Sequence, residues 1–227
     1  MGVAGREPIL YAACVSPLQD AGLYAAACEA VSPERREAAE RLQKEDAARL
    51  SLGGELLLRH GLREAGLDWL PERFAYGSEG KPRLCESKLW FNISHSGQWA
   101  ICAIADCETG CDIEEIRPID LKIARRFRPE EYDDIFAQPT EQARLECFFR
   151  YWTLKESFMK ALGLGFGLPL KAFQMVPGET VSVLHSVNDR SYSFREFDEI
   201  PGYKCALCVE DERCNAQLQI VDLAALL

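Results

Sequence analysis

Hydrophobic and polar positions change their spacing along the chain, and each change predicts a different secondary structure. Residues 8–15, PILYAACV, form an apolar run that predicts a first strand. Two Ser-Pro dipeptides each pair a helix-capping side chain with a proline suited to the first helical turn. They are Ser16-Pro17 and Ser32-Pro33. Gly53-Gly54 interrupts the second helical segment, and a further helix is expected over residues 55–65.

From Leu67 onward the pattern changes to short strands and turns. The run 97–105, the turn 106–110 and the run 111–116 predict a β-hairpin. Side chains alternate along a strand, so Asp112 and Glu114 should share one face of the returning strand.

Helical patterns follow near residues 119–126 and 141–162, and several β-runs follow Pro169. These runs are FQMV, TVSVLHSV, SYSFREF, YKCALCV and AQLQIV. The order of elements predicts an α+β fold with two halves of comparable size, residues 1–109 and 110–227.

Composition narrows the class of protein. A formal charge of −10 without a long Lys/Arg block disfavours nucleic-acid binding. No apolar run approaches the length of a membrane span, and the N-terminus lacks a secretory signal, so we expect a cytoplasmic protein. The ten cysteines are then expected to be reduced, mostly buried thiols. Cys205 and Cys208 form a C-x-x-C that could start a zinc or redox site, but it lies inside a predicted strand and no second pair follows.

The segment 152–160, WTLKESFMK, places unusual chemistry on a predicted helix. Trp152, Glu156 and Lys160 are spaced by four residues and share one face, with Lys155 beside them. Glu156 and Lys160 could form a solvated ion pair. Alternatively, the carboxylate holds a cation and the ammonium holds an anion.

The paired acids Asp112 and Glu114 could likewise be solvated surface groups or ligands of a cation. Two carboxylates on one strand face repel each other unless a cation lies between them. They could form a solvated acidic edge, or they could bind a hard cation such as Mg²⁺.

A polar run, residues 92–96, interrupts two apolar strands. The hydroxyl of Ser94 and the imidazole of His95 suit phosphate or ribose oxygens, although both could belong to a plain turn. Adjacent residues of an extended chain face opposite ways, which disfavours a serine–histidine nucleophile pair. Lys81 precedes Pro82, which orients a cation at a strand start or forms a simple turn.

A basic segment follows the predicted metal-binding strand. Arg125, Arg126 and Arg128 surround Ile123 and Phe127, which are four residues apart. A basic patch around apolar residues suits an acidic protein partner, and the alternative is a solvated helix end.

Taken together, the groups form a coherent site for a diphosphate. A metal would lie among Asp112, Glu114 and Glu156, and the nearby cationic or imidazole groups would contact the anion. These groups are Lys81, His95, Lys155 and Lys160.

Four motifs, GKPRL, FNISHSG, GCDIEEI and WTLKESFMKALGLG, resemble in order and spacing those of the 4′-phosphopantetheinyl transferases of the surfactin-synthetase type. The resemblance spans nearly the whole chain, from the SPERRE…KEDAARL segment to GYKCALC. It implies a monomer of two similar α/β halves in a pseudo-twofold arrangement, with the active site between them. It also implies transfer of phosphopantetheine from coenzyme A to a carrier-protein serine, with release of 3′,5′-ADP.

The resemblance implies roles for individual residues. Asp112, Glu114 and Glu156 would bind Mg²⁺, Glu156 would accept the serine proton, and Lys160 would stabilise the leaving group. The implied coenzyme A contacts are Lys81, Pro82, Ser94, His95 and Lys155 or Lys160, with Arg35, Lys44 and Arg49 as candidates for the 3′-phosphate. Ala38 and Ala39 stand where relatives carry more basic character.

The residues leave two other functions open. Water in place of the serine would make a Mg²⁺-dependent diphosphate hydrolase. A non-catalytic carrier-binding protein is disfavoured by the three carboxylates. The carrier itself, whether from fatty-acid, polyketide or peptide synthesis, is not specified by the sequence.

Overall fold

The computed structural model describes residues 6–71, 74–77, 80–85, 87–212 and 214–227, and it confirms an α+β fold. Within these ranges the α-helices are α1 Ala21–Ala30, α2 Pro33–Glu40, α3 Glu45–Glu64, α4 Pro129–Ala137 and α5 Glu141–Leu162. The first six strands are β1 Ile9–Cys14, β2 Phe74–Tyr76, β3 Pro82–Leu84, β4 Trp90–Ser96, β5 Trp99–Ala105 and β6 Thr109–Glu115. The remaining strands are β7 Gln174–Val176, β8 Ser182–Leu184, β9 Ser193–Phe197, β10 Tyr203–Val209 and β11 Gln217–Ile220.

The helix boundaries follow from local capping. Ser32 accepts a hydrogen bond from the Arg35 amide at the start of α2, and Pro33 occupies the first turn. Thr140 caps α5 in the same way, and Gly163 ends α5 in the left-handed conformation that glycine adopts readily. Within the described ranges, no helix is long and apolar enough to cross a membrane.

Each half contains one main sheet and one long helix. The first sheet has the order β11-β1-β5-β4 and packs against α3, and the second has the order β6-β10-β9 and packs against α5. The two sheets share an apolar core that includes Leu10, Ile101, Ile113 and Leu207. The strand β11 pairs with β1 in the first sheet, although it comes from the end of the chain.

The predicted hairpin between β5 and β6 is wrong. Both edges of β5 are occupied, by β1 and β4, and β6 pairs with β10 instead. The connection 106–108 therefore crosses from one sheet to the other. The strands β4 and β6 adjoin through side chains: the Cys111 amide donates to Asn92 Oδ1 at 2.9 Å, and the Glu115 amide donates to Ser96 Oγ at 3.1 Å. This seam is where the two halves meet.

Candidate active site at the seam between the halves

Three elements converge at the seam. The Asp112 side chain on β6 is buried, and its Oδ1 accepts hydrogen bonds from Ser94 Oγ at 2.8 Å and Lys160 Nζ at 2.6 Å. The Lys160 ammonium also donates to Ser94 Oγ at 2.8 Å. Strand β4, strand β6 and helix α5 each contribute one polar group, so the structure brings together three of the predicted residues.

Gly110 explains how β6 can lie so close to α5. A Cβ at this position would overlap the carbonyl oxygen of Ser157 and the amide nitrogen of Ala161. It would also lie 2.8 Å from the carbonyl carbon of Lys160. Only a residue without a side chain allows this close approach, which places Asp112 beside Lys160.

Glu156 lies on α5 one turn before Lys160 and is half-buried. Burial raises the pKa of its carboxyl group, the negative charge of Asp112 raises it further, and Lys160 opposes the shift. Burial also raises the pKa of Asp112. Burial alone would lower the pKa of Lys160, but the Asp112 carboxylate raises it above the ordinary value, so this ammonium stays charged.

Two buried carboxylate oxygens, Oδ2 of Asp112 and Oε1 of Glu156, have no hydrogen-bond partner among the described residues. Unpaired buried carboxylate oxygens are costly, and a hard cation that takes oxygen ligands would satisfy both. Glu114 is directed elsewhere, since its Oε2 accepts from Ser96 Oγ at 2.9 Å and from Arg117 at 3.2 Å. In the described ranges, no three His, Cys, Asp or Glu side chains are already grouped to hold a metal. The donor set fits Mg²⁺, but Glu114 would have to turn to join it.

A cavity of about 460 Å³ lies in the first half, next to the Ser94 strand. Its lining consists of Ser32, Glu34, Arg35, Ala38, Glu55, Leu58, Trp69, Pro71, Phe74, Tyr76, Pro82, Phe91 and Ile93. Arg35 is 40% exposed and donates to Glu55 at 3.3 Å, so it keeps surface for an anion. His95 follows Ser94 on β4, and desolvation and the positive charges of Lys160 and Arg35 lower the pKa of its imidazole.

The structure places Lys155 away from the site, so its predicted contact with coenzyme A is wrong. The side chain is fully buried, and its ammonium lies 2.9 Å from Glu131 Oε1. It also donates to the carbonyl oxygens of Leu170 and Phe173, at 2.9 and 3.1 Å. Lys155 precedes Glu156 by one position on the helix, about 100° around the axis, and therefore points into the core of the second half.

Three other predicted cations lie apart from the cavity. Lys44 is exposed before α3, and Arg49 donates to Glu45 and Asp46 of its own helix. The described lining of the cavity includes neither residue. The Lys81 ammonium donates to the main-chain carbonyl oxygens of Thr109 and Ala161, at 2.9 and 3.0 Å.

The docking patch stays a prediction, and the structure changes which of its residues are exposed. Arg125 and Arg126 are exposed at the end of the 3-10 helix Leu121–Arg126. Phe127 is 1% exposed and stacks on Phe148, so it cannot form the apolar centre of a contact. Arg128 is partly covered and lies 3.7 Å from Glu130. An apolar groove of about 420 Å³ lies nearby, lined by Glu114, Arg117, Ile119, Asp120, Ile123, Phe148, Phe149 and Trp152.

Sequence reasoning missed four residues that build the seam. Asn92 and Ser96 share the strand face of Ser94, so alternation along β4 could have identified them. Arg117 and Gly110 gave no local signal, because their roles depend on neighbours from other elements.

Comparisons with known proteins agree on a single family. Residues 108–208 match the model of the 4′-phosphopantetheinyl transferase superfamily, and residues 16–107 match that of the 4′-phosphopantetheinyl transferase N-terminal region. The chain is 38% identical over 184 residues to 4′-phosphopantetheinyl transferase Sfp of Bacillus subtilis (strain 168), covering 78% of this chain and 81% of that protein.

More distant relatives carry related names. The 4′-phosphopantetheinyl transferase psf-1 of Bacillus pumilus is 36% identical, with 84% of each chain covered. The L-aminoadipate-semialdehyde dehydrogenase-phosphopantetheinyl transferase of Mus musculus is 27% identical, with 86% of this chain and 72% of that protein covered.

Proposed function

This chain belongs to the 4′-phosphopantetheinyl transferase superfamily and is a transferase of the surfactin-synthetase type, and we propose that it transfers the phosphopantetheine arm of coenzyme A to a serine of an apo carrier protein, with Mg²⁺ and with release of 3′,5′-ADP. One observation carries the proposal beyond family membership. The unpartnered oxygens of Asp112 and Glu156 belong to the same group of side chains as the charged ammonium of Lys160, and strand β4, which carries Ser94, also borders an open cavity.

Asp112 and Glu156 would hold the metal, and Glu114 would join them when its contact with Arg117 is released. The metal would offset negative charge on the diphosphate. This assignment would account for two of the buried side-chain atoms that lack a hydrogen-bond partner among the described residues, Oδ2 of Asp112 and Oε1 of Glu156.

The protein's own groups then provide acid–base chemistry and charge stabilisation. The serine oxygen forms a bond to the phosphorus that bears the pantetheine arm, and the bond from that phosphorus to 3′,5′-ADP breaks. Glu156 accepts the serine proton, and its raised pKa makes the carboxylate a stronger base than an exposed glutamate. Lys160 stabilises the negative charge on the departing phosphate.

The cavity is suited to the nucleotide part of coenzyme A. Phe74, Tyr76 and Phe91 supply aromatic surface, while Pro82 closes one side. We propose that Arg35 binds the 3′-phosphate, with the imidazole of His95 nearby. Lys44 and Arg49 lie outside this lining, so we do not include them in the site.

The apolar groove beside Glu114 is suited to the carrier protein. It opens next to the proposed metal ligands, and Arg125 and Arg126 are exposed on the same 3-10 helix as Ile123. Carrier proteins of this family are typically acidic, and this enzyme carries a charge of −10, so docking requires a local basic surface. That the enzyme is monomeric and cytoplasmic stays a prediction. Sedimentation velocity would test whether it is a monomer.

The direct test is mass spectrometry of apo carriers incubated with the enzyme, coenzyme A and Mg²⁺. We expect one carrier serine to gain the mass of the phosphopantetheine arm, and we expect Asp112→Ala to abolish the gain in a folded protein. Cleavage of coenzyme A without carrier modification would indicate a hydrolase instead. Coenzyme A left intact and carriers left unmodified would refute the proposal for the carriers tested.

A further inference from the structure

Lys81 connects the two halves at a point where its ammonium forms no salt bridge with any of the described residues. The residue precedes β3 in the first half, yet both of its acceptors belong to the second half. Thr109 is the first residue of β6, and Ala161 lies in the last turn of α5. The ammonium donates to their carbonyl oxygens at 2.9 and 3.0 Å, so one side chain joins a strand to a helix across the seam.

The Ala161 carbonyl is an acceptor that α5 itself leaves open. The last four carbonyl groups of a helix have no partner within the helix, and they carry its partial negative charge. An ammonium satisfies such a carbonyl better than a neutral donor does. Gly163 follows in the left-handed conformation, and a Cβ there would lie 3.2 Å from Lys81 Cδ, so the helix end is shaped closely around this side chain.

The contact of the Lys81 ammonium with the carbonyl oxygens of Thr109 and Ala161, called the joint below, lies close in sequence to the proposed catalytic residues. Gly110 follows Thr109 and touches the α5 backbone, and Asp112 follows two residues later. On the helix, Lys160 immediately precedes Ala161. A change in the separation of strand and helix at the joint therefore changes the 2.6 Å contact between Asp112 and Lys160.

Strands β2 and β3 pair as an antiparallel hairpin, which Lys81 adjoins and which borders the nucleotide cavity. Phe74 and Tyr76 of β2 and Pro82 of β3 line it, while Lys81 lies between them along the chain. The cavity and the end of the proposed catalytic helix are thus connected through one two-stranded hairpin. A ligand that packs against Pro82 would restrict the residue that holds α5 to β6.

We propose that Lys81 is a positioning residue that couples filling of the cavity to the alignment of Asp112 with Lys160, and that it does so without binding coenzyme A through its ammonium. The proposal rests on the proposed function for the identity of the cavity's ligand. The coupling is reciprocal, as thermodynamics requires: a well-ordered α5 end favours the bound hairpin, and the bound hairpin favours the ordered end.

The test compares Lys81→Met with Arg83→Met in the full-length protein. Met keeps most of the length and the apolar stem of the lysine but donates no hydrogen bond. Arg83 is exposed on the same hairpin, so its replacement controls for loss of a positive charge. Amide hydrogen exchange of residues 157–163, coenzyme A affinity without metal, and kcat for carrier modification are measured for each protein.

For Lys81→Met we expect exchange at residues 157–163 to accelerate about tenfold, because a local opening loses two hydrogen bonds. We expect kcat to fall about tenfold to a hundredfold, the range for a misplacement near 1 Å. The affinity for coenzyme A should fall only by the coupling factor, and by no more than the change in exchange, since the lost contacts are within the protein. Lys81→Arg, which keeps donors, should recover most of both effects, and Arg83→Met should resemble the wild type.

Two results would overturn the proposal. A tenfold loss of coenzyme A affinity with unchanged exchange would make Lys81 a direct ligand. Unchanged exchange together with unchanged kcat would leave it without a positioning role. If the Lys81→Met protein does not fold, Lys81→Gln is measured instead, with the same expected results. Glutamine is too short to reach both carbonyl oxygens. Failure of the wild type to modify any carrier refutes the proposed function instead, whereas the exchange measurement still decides whether Lys81 holds the joint.

Discussion

Replacing Gly110 by alanine tests whether the distance between β6 and α5 controls activity. The added Cβ would lie 2.8 Å from the carbonyl carbon of Lys160 and would overlap main-chain atoms of Ser157 and Ala161. These are backbone atoms, so they cannot rotate away as a flexible side chain would. Ordinary carbon contacts need roughly 3.5–4.0 Å, and the strand and helix must therefore separate by about 1 Å.

The expected cost has a stability part and a catalytic part. Overpacking of this kind costs about 1–3 kcal/mol, which lowers Tm by roughly 2–12 °C for a chain of this size. A displacement near 1 Å between Asp112 and Lys160 should lower kcat about a hundredfold. Because the two effects have different temperature dependence, kcat measured well below Tm reports the misalignment alone.

The assay combines a thermal melt with carrier modification followed by mass spectrometry. Gly167→Ala is the matched control, since a Cβ at Gly167 meets no atom of the described residues within 4 Å and its φ is not positive. It should leave both Tm and kcat nearly unchanged. A folded Gly110→Ala protein with kcat within about threefold of wild type would refute the reasoning, because the close approach of β6 to α5 would then have no role in the reaction.

Three further predictions follow from the site and its surroundings. Glu156→Gln should lower kcat at least about a hundredfold, and it should remove the loss of activity that the wild type shows as pH falls through the raised pKa of this base. Lys155→Met should destabilise the protein by about 3–5 kcal/mol, because it leaves the buried Glu131 carboxylate without its charge partner; adding Glu131→Gln should recover part of this loss. Arg125→Glu with Arg126→Glu should raise KM for the carrier, leave KM for coenzyme A nearly unchanged, and lose its effect as salt rises.

For each of these three predictions, one measured result would contradict it. A Glu156→Gln enzyme that keeps most of its rate excludes this residue as the base. Chemical denaturation showing that Lys155→Met unfolds like the wild type would contradict a structural role for the buried pair. Equal changes in KM for the carrier and for coenzyme A would indicate that Arg125 and Arg126 act at the nucleotide site. No change in either constant would indicate that they belong to a solvated helix end without a docking role.

Short-range patterns were enough to predict much of the fold and part of the site. The α5 helix spans Glu141–Leu162, as its capping threonine and terminal glycine indicate. Alternation along β6 placed Asp112 and Glu114 on the same side. The spacing of four placed Glu156 and Lys160 on one helix face. Such features depend only on the period of a single element, so the sequence by itself determined them.

Packing between elements decided the rest. Phe127 is four residues from Ile123, but the segment is a 3-10 helix that ends before Phe127, and the ring turns into the core. The β5 strand could not pair with β6, because its two edges were already taken. Lys81 finds its acceptors 28 and 80 residues away along the chain. No local pattern specifies contacts at that separation, because they exist only once both halves have folded and their surfaces meet.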